Sequence, residues 1–318
     1  MSKYATKFKR YSDVAYNIVK NKLRTANSDP KFVTPKMICR IDPNSHIKMA
    51  SGCRAGLANR IRSLIALNAL GFEDVRIYKE RLPDQHDAGE KDLDELFTKV
   101  KTYKSDSEYD YIYRSQVLPS MIPAEKIDNR INKNDFNNLN YMGQMKPEVL
   151  NFASGLKTNF KKQFINLGLH QIDENTINKK IASTLAIHIR HWEVKEADEK
   201  FFRLGDVADF GARLWERELL SKDNVHSLVS RIENDVKEYG IKNIVVYSDS
   251  QESLNLFDGT SISHLITSPE IVAEGWSQAL NEIISLSRHK VIYAFPMSTF
   301  SHMSCLLADD ETLIRSVY

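Results

Sequence analysis

The sequence predicts an α/β protein of two domains, the second built on a parallel, doubly wound sheet. Three observations lead there. Apolar runs of strand length alternate with longer stretches of helical period. The 318 residues suffice for two moderate cores. Three of the strand-like runs end in polar segments, as they do where such sheets bind ligands. The domains are expected at residues 1–168, with a leading helix, and 169–318, the ligand-gripping half.

Residues 1–30 set Lys7, Lys9, Arg10, Lys20, Lys22 and Arg24 around Tyr11, Val14, Ile18 and Val19, and the pattern stops at the turn-forming Asn27-Ser28-Asp29-Pro30. This predicts an amphipathic helix packed on the first domain with its basic face in water. Met37 to Ile41 is strand-like. After a polar loop, SGCRAGLANRIRSLIALNALG opens on glycines and turns helical: Leu57, Ile61, Leu64, Ile65, Leu67 and Leu70 recur mainly at three- and four-residue spacings, and Gly71 is the stop. Val75 to Tyr78 reads as the next strand, completing a βαβ opening. Between residues 80 and 145, charged and Asn-rich stretches such as DNRINKNDFNNLN predict loops, with a short strand near Tyr111-Ile112-Tyr113 and a surface that faces an acceptor. Helical period returns from Pro147 to Leu167 and bridges to the second domain.

There, Leu185 to Arg190 reads as a buried strand, residues 206–219 and 223–239 as helices, and Asn243 to Tyr247 as a strand. Gln251 to Phe257 is a short helix, His264 to Ile266 a minor strand, Ser277 to Ser287 a helix, Val291 to Ala294 a strand and Thr299 to Leu307 a helix. Strands alternating with helices imply parallel pairing, with ligands beyond the carboxyl ends of the strands.

Composition removes several classes of function. A formal charge of +2, from 44 basic and 42 acidic side chains, leaves no broad cationic field for nucleic acid. No apolar run approaches the ~20 residues that cross a bilayer, and MSKYATKFKRYSDV lacks the apolar centre of a secretion signal, so a cytoplasmic chain without a transmembrane segment is expected. Cys39, Cys53 and Cys305 make no metal-ligand spacing and predict buried thiols.

Three strand ends carry the chemistry. His188-Ile189-Arg190-His191-Trp192-Glu193 follows the first, Tyr247-Ser248-Asp249-Ser250 the second, and Phe295-Pro296-Met297-Ser298-Thr299-Phe300-Ser301 the third. Arg190 offers a planar fork of donors for two phosphate oxygens and, beside His191, can neutralise a diphosphate in place of a metal ion. Ser298, Thr299 and Ser301 stand where a loop enters a helix, whose free amides and dipole favour a phosphate. Asp249 can accept hydrogen bonds from a ribose or a base edge. Taken singly, each is more often an ion pair or a helix cap; it is their joint order that points to a shared ligand.

GLANRIR, HIRH, YSDSQESL and SRHKVIYAFPMSTFSHMSCLL, in that order, resemble the fucosyltransferase superfamily, and most of all the nodulation-type enzymes that attach α1,6-fucose to chitooligosaccharides. The likeness covers residues 184–308 well and the earlier residues thinly. It implies a GT-B fold, in which two Rossmann-like domains hold a nucleotide-sugar cleft between them, and inverting, metal-independent transfer of fucose from GDP-fucose to the hydroxyl of an oligosaccharide or other glycan. It also implies that His188, Arg190 and His191 line the diphosphate site. Asp249 with Ser250 would hold the guanosine, Ser298, Thr299, Phe300 and Ser301 would surround the phosphates, and Gly56, Asn59 and Arg60 would lie across the cleft. Trp192 and Glu193 depart from the Arg-rich or Gly-Asp continuation of many relatives, and Ala58 stands where Gly is common. Glu193 and His191 are the nearest candidates for a base that takes the acceptor proton. No cofactor is expected.

Rival readings remain: a transferase for another nucleotide sugar, a metal-dependent enzyme, or a catalytically silent nucleotide- or carbohydrate-binding module of the same fold. Asp92-Leu93-Asp94 has the letters of a metal-binding motif, but it sits in the charged helical stretch GEKDLDELFTKV with no apolar strand before it. The Gly-rich segment lacks both GxGxxG spacing and a phosphate-loop lysine.

Overall fold

Two five-stranded sheets, both parallel throughout, organise the chain. The computed structural model describes residues 32–33, 41–51, 57–69, 71–78, 96–103, 108–113, 147–152, 154–169, 174–189, 222–248, 251–269, 275–295 and 298–317. The first sheet contains β1 (Phe32–Val33), β2 (Lys48–Ser51), β3 (Asp74–Tyr78), β4 (Thr102–Tyr103) and β5 (Tyr111–Tyr113) in the order β1-β5-β2-β3-β4, and α1 (Leu57–Ala69) follows β2. A 3-10 turn (Pro147–Phe152), α2 (Ser154–Asn166) and α3 (Glu174–Asn178) lead to the second sheet.

That sheet contains β6 (Ile181–Ile189), β7 (Asn243–Ser248), β8 (Ile266–Thr267), β9 (His289–Ala294) and β10 (Leu313–Ser316), in the order β10-β9-β6-β7-β8. Its helices are α4 (Lys222–Tyr239), α5 (Gln251–Asn255), α6 (Gly275–Ser287) and α7 (Thr299–Leu307). Numbered within the sheet, the strands run 3-2-1-4-5 from one edge, a doubly wound order that reverses beside its first strand.

Parallel strands must bury both faces, and the two-residue period of the strand sorts side chains between two cores. Leu185, Ile187 and Ile189 of β6, with Val291 and Tyr293 of β9, pack on Leu228, Val229 and Ile232 of α4. Ala186, Tyr247, Ile292 and Ala294 point the other way, into a larger core with Ile283 of α6 and Met303, Cys305 and Leu306 of α7. That larger core continues through Phe160 and Phe164 of α2 to Ile61, Leu64 and Ile65 of α1 and to Met49 and Ile77 of the first sheet. Burial pushes the Cys305 thiol up to about 12, so it is an inert core residue. Cys39 and Cys53 lie outside the described residues.

Several elements differ from the sequence reading. Residues 37–40 lie outside the described part, and Ile41 is in a bend; the strand ahead of α1 is β2, inside the segment read as a polar loop. Lys48-Met49-Ala50-Ser51 has only two apolar residues, but β3 and β5 bond it on both sides, and Met49, Ala50 and Ser51 are fully buried. Neighbours, rather than its own composition, make it a strand. The helix expected from Pro147 begins as the 3-10 turn because that turn serves another element. The Asn151 side chain pairs with both backbone groups of Ile314 at 2.8 Å, and Glu148 accepts from the Ser316 amide. These contacts cover the open edge of β10, a strand the sequence reading missed. The minor strand shifts to Ile266–Thr267 behind a 3-10 turn at Ser263–Leu265. The leading helix and the helix at 206–219 lie outside the described residues.

Gly168 closes α2 at φ 67, and its carbonyl accepts from the Thr98 amide at 2.6 Å; a β-carbon there would stand 2.1 Å from Thr98 Oγ1. Gly240 has a similar φ of 62 with nothing within 4 Å. Both positions carry the left-handed strain of a side chain, but only Gly168 adds crowding. Gly168→Ala is therefore expected to cost about 1–2 kcal/mol more than Gly240→Ala in urea denaturation, from the displaced Thr98 hydrogen bond. Equal costs would show that Thr98 swings away freely.

Candidate functional site

The winding of the second sheet reverses between β6 and β9, so a ligand crevice opens beyond the carboxyl ends of those two strands. Alternation along β6 puts the next-to-last residue, His188, on the side of α6 and α7, opposite Ile187 and Ile189. There it meets the helix that follows β9. His188 Nδ1 and Ser301 Oγ share a hydrogen bond of 2.5 Å, and the imidazole stacks on the Phe300 ring with centroids 5.0 Å apart and planes at 14°. Residues 113 apart in sequence thus lock the ends of the two strands together.

The start of α7 leaves amides outside the helical ladder. Ser298 has the extended backbone of an N-cap, with φ −97 and ψ 117; its Oγ accepts from the Ser301 amide at 3.5 Å, and its carbonyl accepts from the His302 amide at 3.1 Å. The Ser298 amide returns to the Phe295 carbonyl at 3.0 Å, and Ser301 Oγ accepts from the Phe295 amide at 3.1 Å. These bonds hold the turn after β9 tightly against the helix. They also commit the Ser301 hydroxyl to the protein, while Ser298 Oγ is used only as an acceptor. The amides of Thr299 and Phe300, in the first turn, have no place in the helical ladder and lie at the positive end of the helix dipole. The geometry suits an acceptor-rich, anionic group such as a phosphate.

No family model matches the chain, and a comparison of its sequence with curated proteins finds no match. Among solved structures it is similar to fucosyltransferases. The fucosyltransferase NodZ from Bradyrhizobium aligns with 13% identity over 82% of this chain and 92% of that one, with a TM-score of 0.40. POFUT1 without ligand aligns with 14% identity over 83% of this chain and 94% of that one, with a TM-score of 0.34. POFUT1 in complex with GDP-fucose aligns with 14% identity over 54% and 49%, with a TM-score of 0.28. At these identities and scores the likenesses assign no substrate and no residue role to this chain.

Of the residues singled out from sequence, His188, Phe300 and Ser301 are in direct contact, and Ser298 and Thr299 share their turn. Arg190, His191, Glu193, Asp249, Ser250 and Gly56 lie outside the described residues, as do the Asn59 side chain and Asp92 to Asp94. Asn59 and Arg60 belong to the first turn of α1. Arg60 is buried, and its carbonyl accepts from Ser51 Oγ at 2.8 Å, which ties the start of α1 to the end of β2. Helix α1 in turn packs against α7. Two residues at this packing escaped the sequence reading, Arg62 of α1 and His302 of α7, each 1% exposed. Burial lowers Arg62 to about 9, and burial followed by the charge of Arg62 holds His302 well below the usual histidine range. The available signal was a polar residue set among Ile61, Leu64 and Ile65, or among Phe300, Met303 and Leu306, in helices with buried residues all round.

Proposed function

We propose that the chain is an inverting, metal-independent glycosyltransferase that moves fucose from GDP-fucose to a glycan hydroxyl. The observation that carries this reading is the convergence of the β6 end, at His188, with the Ser298–Ser301 turn of α7 at the switch point of a 3-2-1-4-5 sheet. The segments so joined are those whose order in sequence resembles the fucosyltransferase motifs. In the proposal, residues 169–318 form the donor domain and residues 1–168 the acceptor side.

Transfer asks for an acceptor hydroxyl aligned behind the anomeric carbon and for a stabilised leaving diphosphate. The free amides at the start of α7 take the negative charge on one side, and the Arg190 guanidinium takes it on the other. His188, fixed by Ser301 and Phe300, sets where the segment carrying Arg190 departs from the sheet. Glu193 or His191 receives the acceptor proton, Asp249 and Ser250 hold the guanosine, and Gly56, Asn59 and Arg60 close the cleft from the first domain.

A thermal-shift series with GDP, UDP, ADP and their sugars, in excess chelator, tests the reading. At a hundredfold excess over Kd, GDP and GDP-fucose are expected to stabilise the fold by about 2.7 kcal/mol, while UDP and ADP leave it unchanged. A response to UDP alone would replace the donor. A GDP response that disappears with chelator would restore the metal-dependent reading, and GDP-fucose binding without hydrolysis or transfer would leave a silent module.

A further inference from the structure

Helices α1 and α7 each follow an interior strand of their own sheet, β2 or β9, and each carries candidate cleft residues in its first turn. Where the two pack together, His302 is buried, and neither Nδ1 nor Nε2 has a hydrogen-bond partner. A desolvated ring with no partner forfeits its bonds to water and gains nothing in return. Charging it costs more again, because Arg62 of α1 acts on it with like charge. Arg60 is also buried on α1, and His188 of β6 meets α7 at Phe300 and Ser301. Lys157 of α2 and Glu148 of the 147–152 turn act on Cys305, and Glu282 of α6 acts on Tyr247. His289, at the start of β9, is bonded to Tyr247 and Thr184.

We propose that His302 is a positioning residue whose uncharged ring keeps α1 seated on α7, and that a proton on this ring loosens the seam between the two sheets. Protonation would add a second cation to the same dry seam, and parting of the helices is the movement that hydrates it. The same movement displaces the first turn of α7 from that of α1, so the candidate cleft widens under acid conditions. The seam is a property of the fold and does not depend on which nucleotide the cleft takes.

Hydrogen exchange at pH 7.5 and 5.5, corrected for intrinsic amide rates, reads the seam directly and needs no ligand. Protection of amides in α1 and α7 is expected to fall about tenfold further in the wild type than in His302→Met, because only an exposed histidine near its usual pKa of about 6.5 takes up the proton at pH 5.5. His302→Gln, which also cannot charge, should match His302→Met and serves if the methionine variant does not fold. Equal loss of protection in wild type and variants would overturn the proposal. So would an extra wild-type loss shared in full by α4, since that marks global unfolding rather than a local seam.

Discussion

Arg190→Ala is expected to lower kcat/KM for fucose transfer by about a thousandfold while leaving the urea midpoint unchanged, the scale seen when a preorganised donor to developing negative charge is removed. The effect follows from charge accounting at the leaving group. In the proposed reaction, GDP would gain negative charge as the glycosidic bond breaks, and the start of α7 would meet it only in part, since the Ser301 hydroxyl is already held by the Phe295 amide and His188. A cation is required, and in the metal-free reading Arg190 supplies it. The loss should fall mainly on kcat, because the charge is largest in the transition state. Arg190→Lys should recover part of it, since lysine keeps the charge but not the fork that spans two oxygens. Calorimetry with GDP separates binding from chemistry. Turnover of Arg190→Ala within tenfold of wild type, in chelator, would end the assignment.

Legibility in the sequence followed how much of an element's stability comes from its own residues. Helix α7 was read to its residue bounds, because Ser298 caps it and a largely apolar, buried run follows. β6, β7 and β9 were equally plain as apolar runs buried on both faces. β2 and β10 were not, since Lys48–Ser51 is buried by β3 and β5, and Leu313–Ser316 gains its outer partners from Asn151 and Glu148, more than 160 positions away. The site divides the same way. Strand ends mark a ligand edge only through local pattern, and that pattern picked out His188 and Ser301, but their contact emerges only when β9 lies beside β6. Arg62 and His302 are ordinary polar letters until two helices from different sheets bury them together.

Acid is expected to destabilise the fold well before its carboxylates are protonated, through His289. Thr184 Oγ1 donates to the Ile181 carbonyl at 2.8 Å, so it must accept from His289 Nδ1–H, also at 2.8 Å. His289 Nε2 is then left to accept from the Tyr247 hydroxyl at 2.9 Å, which in turn accepts from Ser285 at 2.7 Å. A second proton on the ring would occupy Nε2 and force the Tyr247 and Ser285 hydroxyls to reverse. Burial, with the nearby charge of Arg288 adding to it, lowers His289 from 6.5 to about 4. The folded state therefore binds fewer protons than the unfolded chain between those values, so the stability is fully present above pH 6.5 and is lost as pH falls towards 4. From pH 7.5 to 4.5 this one group contributes a loss of about 2–3 kcal/mol. In urea titrations across that range, His289→Gln should start less stable, yet its pH slope should be shallower than the wild type's by that amount. The slope is the test, because a purely structural loss would lower the whole curve and leave its inclination alone.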